Sequence, residues 1–150
     1  MSDSSSKKPC NNLIYDIIVI KLKEIFISFN SLYDTRINII CKVISQDIMA
    51  FKHTENSTEH SSSLQLRIAD DTGCIKLLCV DSTQCSLMEI GNEIILRNVL
   101  VTAMANSIYI ICDKNSVIIP SNDNLLNRSS IDLKCDYSLV TLGRLNYNMI

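Results

Sequence analysis

The chain has 150 residues, which is the length of a single domain. Apolar residues make up 47% of the chain and charged residues 20%, so a core can form without disulfides or a structural metal. The formal net charge of −2 at pH 7 gives no whole-chain attraction to polyanions and counts mildly against avid, nonspecific nucleic-acid binding.

The seven cysteines do not follow a zinc-binding pattern, since no CxxC or Cys/His spacing is present. Cys41, Cys79 and Cys112 lie inside apolar runs, where a thiol acts as a small hydrophobic side chain. We therefore expect reduced core cysteines and no metal or other cofactor. The polar start carries no secretory h-region, and no stretch reaches the roughly 18 uncharged apolar residues of a membrane helix. A cytosolic or nuclear protein without membrane contacts is expected.

The first third of the chain moves from a polar head to a long strand. Residues 1–12 are rich in Ser and predict a disordered head. Residues 13–29 are apolar and fit either a helix or a strand. Residues 36–53 form a β-branched run, whose length predicts a strand with a bend or a bulge. Residues 54–63 contain no apolar side chain and predict a solvated loop.

The middle of the chain predicts a β-hairpin. Residues 64–69 alternate strictly between apolar and polar, residues 70–73 (DDTG) form a tight turn, and residues 74–80 provide the returning strand. One face of this hairpin is then directed away from the core. It carries Gln65, Arg67, Lys76, Leu78 and Val80.

The remaining elements complete a five-stranded pattern. Residues 81–91 predict a short helical turn that Asp81 or Ser82 caps and Gly91 ends. A second long strand, its returning partner and a short closing or flanking segment follow at 92–105, 108–113 and 115–120. Residues 121–150 are polar with scattered aliphatic side chains, and a short packing helix and an extended tail both remain open.

This order of elements predicts an all-β chain, namely a five-stranded Greek-key barrel of the OB type with a short helix between strands 3 and 4. The barrel is expected to span residues 13–120, with its core at 36–120, between the head at 1–12 and an extension at 121–150. An immunoglobulin-like sandwich fits less well, because it needs about seven strands with evenly spaced turns.

Residues 67–111 resemble the single-stranded-DNA-binding subunit of the SOSS complex, and also replication protein A and archaeal single-strand-binding domains. These families share a "VaDkTGsI…VWD" hairpin, followed by a short helix that ends in "pGDiirL". The resemblance extends over about residues 36–120. The matching residues here are Ala69, Asp70, Thr72, Gly73, Ile75, Val80, Asp81, Ile90, Gly91, Asn92, Ile94, Ile95 and Leu96.

The resemblance implies a module that binds single-stranded DNA or RNA, DNA in the first place, without being an enzyme. It further implies a nuclear genome-maintenance complex with a protein partner, the cytoplasm being the alternative location. Where these families carry stacking aromatics, this chain has aliphatic residues, which predicts weak binding because each base stack contributes about 1–3 kcal/mol. The predicted nucleic-acid-binding residues are Lys52, Gln65, Arg67, Lys76, Leu78, Val80, Arg97, Leu100, Met104 and Tyr109.

Within this set, Arg67 and Lys76 are expected to contact phosphates, and Tyr109 is the remaining aromatic platform. A second hypothesis treats Leu78 and Val80 as an exposed apolar patch for a protein partner, so that the barrel is a scaffold with little nucleic-acid binding. Catalysis lacks support, since no GxSxG, phosphate loop or HExxH motif occurs. The His and Glu side chains of the 54–63 region are interpreted as solvated and not as metal ligands.

Overall fold

The computed structural model describes residues 18–50, 62–80, 86–121, 125–126 and 131–139. The predicted head, most of the predicted loop at 54–63, Lys52 of the predicted site, and the Asp81 or Ser82 cap lie outside these ranges. No helix in the described ranges is long and apolar enough to cross a membrane.

The described chain forms six strands and two short helices. The helices are α1 (Leu22–Ile27) and α2 (Phe29–Leu32), and the strands are β1 (Arg36–Ala50), β2 (Ser62–Asp70), β3 (Gly73–Cys79), β4 (Glu93–Met104), β5 (Ser107–Cys112) and β6 (Val117–Pro120).

Five of the strands close into a barrel. Their order is β1-β2-β3-β5-β4, and β4 pairs back onto β1, so that the ring has no open edge. All pairings within the ring are antiparallel except the one between β3 and β5. The predicted all-β fold with a five-stranded OB barrel is confirmed. The segment that was expected to close the barrel or lie beside it is β6, which pairs with β4 outside the ring.

β1 is the bent strand that its length predicted. Its first half pairs with β4 and its second half with β2, and the register shifts at two irregularities. The opposing irregularity in β4 is Asn98, which has a φ of 61° and whose backbone N–H donates to Asn38 Oδ1 at 3.0 Å. Asn tolerates this left-handed conformation better than most residues. β1 and β4 can therefore each pair with different neighbouring strands along their length.

The core lies inside the ring and continues to its helical end. Side chains from all five barrel strands are buried inside the ring. Leu22 and Ile25 of α1 and Phe29 of α2 are buried with them and close one end of the barrel. The ambiguous segment at 13–29 is thus helical in its second part, which begins at Leu22. Asp70 fixes this helix, because its buried carboxylate accepts the Leu22 N–H at 2.9 Å.

The connection between β3 and β4 differs from the prediction. Residues 86–92, the part of the connection within the described chain, contain turns and no helix. Met88 is buried here and its carbonyl accepts a hydrogen bond from Gln46, while Gly91, at a φ of 92°, donates its N–H to the Val43 carbonyl. These bonds attach residues 86–92 to β1, and they satisfy the Met88 carbonyl and the Gly91 N–H without a helix.

The described part of the C-terminal extension contains no helix and packs on the barrel. We call residues 131–139 the C-terminal segment. Cys74 N–H donates to the Cys135 carbonyl at 2.7 Å and Tyr137 N–H donates to the Cys74 carbonyl at 2.9 Å, so the segment pairs with the start of β3. Tyr137 enters the core and stacks on Phe26 with ring centroids 5.2 Å apart.

Candidate nucleic-acid interface

Six of the predicted site residues converge on one side of the sheet, namely Gln65, Arg67, Lys76, Leu78, Leu100 and Tyr109. We call this side the outer face, and it consists of two rows that run across β2, β3, β5 and β4. The strand register aligns Arg67, Lys76, Tyr109 and Thr102 in the first row. The second row is Gln65, Leu78, Ile111 and Leu100. Residues that are far apart in the sequence therefore lie side by side, one strand spacing of about 4.8 Å apart.

The centre of the outer face is a contact between a cation and an aromatic ring. The Lys76 ammonium lies 5.6 Å from the centroid of the Tyr109 ring. The Tyr109 hydroxyl donates to Gln65 Oε1 at 3.2 Å, which fixes the ring across β3. Both Lys76 and Tyr109 are half-buried. This arrangement offers a flat ring for a base and a positive charge for a phosphate at the same place.

Arg67 lies next to Lys76, but the Arg67 guanidinium already forms an ion pair with the Asp136 carboxylate. Arg67 Nη2 is 3.1 Å from Oδ2 of Asp136, and the Asp136 side chain is only 5% exposed whereas that of Arg67 is 38% exposed. Neither Arg67 Nε nor Asp136 Oδ2 makes a hydrogen bond with the part of the chain that the structure describes. No pattern in the sequence indicates Asp136 at this place, since it lies in the C-terminal extension far from β2 in the chain.

The expectation that Leu78 is exposed is wrong. Its side chain is 6% exposed, because it lies in the middle of the outer face between Gln65 of β2 and Ile111 of β5. Val80, which follows β3, is 39% exposed and donates its N–H to the Cys112 carbonyl at 2.9 Å. The predicted apolar patch of Leu78 and Val80 is therefore reduced to Val80.

The remaining predicted residues lie further out. Leu100 belongs to the second row, and Met104 lies opposite Ser107 next to the β4–β5 turn. Arg97 lies on the half of β4 that pairs with β6, opposite Val117, and the irregularity at Asn98 separates it from the outer face. The structure thus does not bring Arg97 to the Lys76 cluster.

The electrostatics of the outer face do not indicate catalysis. The Cys74 thiol lies in β3 on the same side as Lys76, and burial, followed by the charge of Asp136, raises its pKa to about 11. The thiol is therefore protonated at neutral pH and is a poor nucleophile. In the described residues, no group of three or more His, Cys, Asp or Glu side chains could hold a metal ion.

These features define a class of protein, namely a closed OB barrel with a cation and an aromatic ring on the face of its second and third strands. The chain belongs to the family described as single-stranded DNA binding protein Ssb-like, OB fold, whose model matches residues 33–119. The matched region contains all five strands of the ring. None of the curated proteins matches the chain significantly.

Solved structures show the same fold. A hypothetical protein from Arabidopsis thaliana is similar with a TM-score of 0.64 and 21% identity, over 94% of this chain and 91% of that one. The OB domain of Ta0387 from Thermoplasma acidophilum is similar with a TM-score of 0.58 and 17% identity, over 73% and 92%. The Ifi202 HINa domain in complex with 20 bp double-stranded DNA has a TM-score of 0.50 and 6% identity, over 63% and 45%.

Proposed function

We propose that this chain binds single-stranded nucleic acid, DNA in the first place, through the outer face. The observation that carries the proposal is the Lys76 ammonium over the Tyr109 ring, at the centre of the face that OB barrels use for oligonucleotides. Membership of the single-stranded-DNA-binding family supports it.

In this proposal, the Lys76 ammonium moves off the Tyr109 ring to contact a phosphate, and one base stacks on the ring face that it leaves. The second row, where Ile111 and Leu100 lie, offers aliphatic contacts to the next base. One aromatic platform contributes about 1–3 kcal/mol, which by itself gives weak binding. We therefore further propose that the chain works with a protein partner in a nuclear genome-maintenance complex, as its resemblance to the DNA-binding subunit of the SOSS complex and to replication protein A implies.

A titration of a fluorescent oligo-dT strand at several salt concentrations tests the site. Tyr109→Ala should weaken binding about 5- to 150-fold, because it removes the platform. Tyr109→Phe is the matched control: it keeps the ring, loses only the hydrogen bond to Gln65, and should bind nearly as wild type. Lys76→Gln should weaken binding and reduce the slope of log K against log salt by about 0.7, the value for one phosphate contact.

Two results would refute this site: no binding to oligo-dT at low salt, or equal affinities for wild type, Tyr109→Ala and Lys76→Gln. Competition with oligo-U decides between DNA and RNA, because a 2′-hydroxyl on the ligand changes the contacts available at the same platform.

A scaffold function is the second candidate. Val80, Leu87 and Ile90 are 39%, 36% and 61% exposed, and all three lie in or beside the β3–β4 connection. Exposed apolar side chains in and beside one connection are candidates for contact with a protein. Absence of oligo-dT binding, together with loss of a co-purifying partner in Ile90→Ser, would favour this function over the first.

A further inference from the structure

The C-terminal segment brings a negative charge onto the outer face. Its backbone pairs in parallel with β3 at Cys74, which places the Asp136 side chain on the same side of the sheet as Cys74 and Lys76. Arg67, opposite Lys76 on β2, reaches across β3 to this carboxylate. Asp136 thus lies in the row next to the one in which the proposed phosphate contacts are aligned.

The contact between Arg67 and Asp136 is close in distance but poor in hydrogen bonding. The two groups are 3.1 Å apart, yet Arg67 Nε and Asp136 Oδ2 are both buried and make no hydrogen bond within the described residues. A phosphate offers several acceptor oxygens, and a guanidinium can bind two of them at once. Arg67 would therefore gain hydrogen bonds by exchanging Asp136 for a phosphate.

The exchange is opposed by the carboxylate that would remain. The Asp136 side chain is 5% exposed, and a buried carboxylate that loses its counter-charge is strongly destabilised. Its charge would also repel a phosphate at Arg67. As long as Asp136 is charged and in place, Arg67 is held back from nucleic acid.

We infer that the C-terminal segment is an internal competitor for nucleic acid, in which Asp136 takes the place of a phosphate at Arg67. This inference rests on the proposed function, because it needs the outer face to bind a strand. The chain then binds single strands without Arg67 in its resting state, and through Arg67 as well when Asp136 is displaced or replaced by an uncharged residue.

A charge substitution separates this competition from the structural role of the segment. Ser138 Oγ accepts the Lys76 N–H and Tyr137 belongs to the core, so deletion of the segment would disturb β3 itself. Asp136→Asn is milder, because Asp136 Oδ1 accepts the Ser138 N–H at 3.0 Å and an amide oxygen can do the same. The variant removes the negative charge that holds Arg67 and places an amide NH2, which cannot accept a hydrogen bond, opposite the guanidinium.

The test compares oligo-dT binding by wild type, Asp136→Asn, Arg67→Gln and the double variant. Asp136→Asn should bind about tenfold more tightly at low salt, with a salt slope larger by about 0.7, because Arg67 gains a phosphate contact. In the Arg67→Gln background the same substitution should give no such gain. Asp34→Asn is the control for net charge: Asp34 has a φ of 65°, which Asn tolerates, and its affinity should stay within about twofold of wild type.

Two outcomes overturn the inference while the proposed function stands. The first is that wild type binds in a Tyr109-dependent way and Asp136→Asn binds no more tightly. The second is an equal gain in the Arg67→Gln background, which would reflect general electrostatics. Absence of binding by every variant, Asp136→Asn included, overturns the proposed function and this inference together. Asp136→Ser should reproduce the gain, and thermal unfolding of each variant verifies that the barrel is intact.

Discussion

Gly73, the last residue of the DDTG turn, is where the hairpin and the C-terminal segment come closest. Its φ is 155°, and a Cβ atom added there would lie 2.8 Å from the Cys135 carbonyl oxygen and closer still to Tyr137 Cε2. Real Cβ atoms do not approach other heavy atoms so closely, and one of these neighbours is backbone. We therefore predict that Gly73→Ala destabilises the fold by displacing the C-terminal segment.

The magnitude follows from two separate terms. Backbone strain for a residue with a side chain at such a φ contributes about 1–3 kcal/mol. Forcing a methyl group into a filled site contributes about another 1–3 kcal/mol. We expect the free energy of unfolding to fall by about 2–6 kcal/mol, a large part of the stability of a small domain.

Gly91→Ala is the matched control for the strain term. Gly91 also has a positive φ, 92°, but nothing lies within 4 Å of the position that its Cβ would take. Gly91→Ala should lower the free energy of unfolding by the strain term alone, about 1–3 kcal/mol. Urea unfolding of both variants measures the difference. In the Tyr137→Ala background Gly73→Ala should cost less, because two of the three closest atoms are gone. Equal costs for the two glycines, or strict additivity with Tyr137→Ala, would refute the reasoning.

Three further predictions concern titratable groups other than the Arg67–Asp136 pair. Glu93→Gln should lower the free energy of unfolding by about 1–3 kcal/mol in urea unfolding, because the buried carboxylate accepts two backbone N–H groups and a hydroxyl that an amide nitrogen cannot serve. The hydrogen bond from Arg36 lowers the pKa of Asp113, so this pair stabilises the fold above the ordinary carboxyl pKa, and the contribution disappears as the pH falls through the lowered value. Asp113→Asn removes the titrating carboxyl. Thermal melts between pH 2 and 5 should therefore show an acid-induced loss of stability that is smaller than in wild type by about 1 kcal/mol or less. Iodoacetamide at pH 8 should modify the exposed Cys135 before Cys74, whose pKa is raised to about 11, as peptide mapping will report.

The barrel could be predicted from the sequence because its signals are local. The alternation at 64–69, the turn at 70–73 and the β-branched run at 36–53 each depend on neighbouring residues, and each corresponds to a strand or turn of the structure. The connection at 86–92 was predicted wrongly for the same reason. Leu87, Met88 and Ile90 have a spacing that a helical turn would also show, whereas their conformation is set by bonds to β1.

The site could be predicted only in part, because exposure and charge pairing depend on strands that are distant in the chain. Alternation correctly placed Arg67, Lys76 and Leu78 on one side of the hairpin. Alternation could not show that β5 would lie beside β3 and bury Leu78. It also could not show that the Tyr109 ring would lie next to the Lys76 ammonium. Asp136, the ion-pair partner of Arg67, could not be predicted from a local pattern either.

The hairpin motif couples the proposed ligand surface to the rest of the fold. Asp70 accepts the first N–H of α1, and Gly73 leaves the space that Tyr137 fills. Cys74, the next residue, forms two backbone hydrogen bonds with the C-terminal segment and lies two residues before Lys76. A strand of nucleic acid that draws Arg67 away from Asp136 therefore acts on the same short piece of β3 that holds the C-terminal segment. Binding at Arg67 and anchoring of that segment must then oppose each other, so oligo-dT should accelerate amide hydrogen exchange at Tyr137, and unchanged exchange under saturating oligo-dT would argue against the coupling.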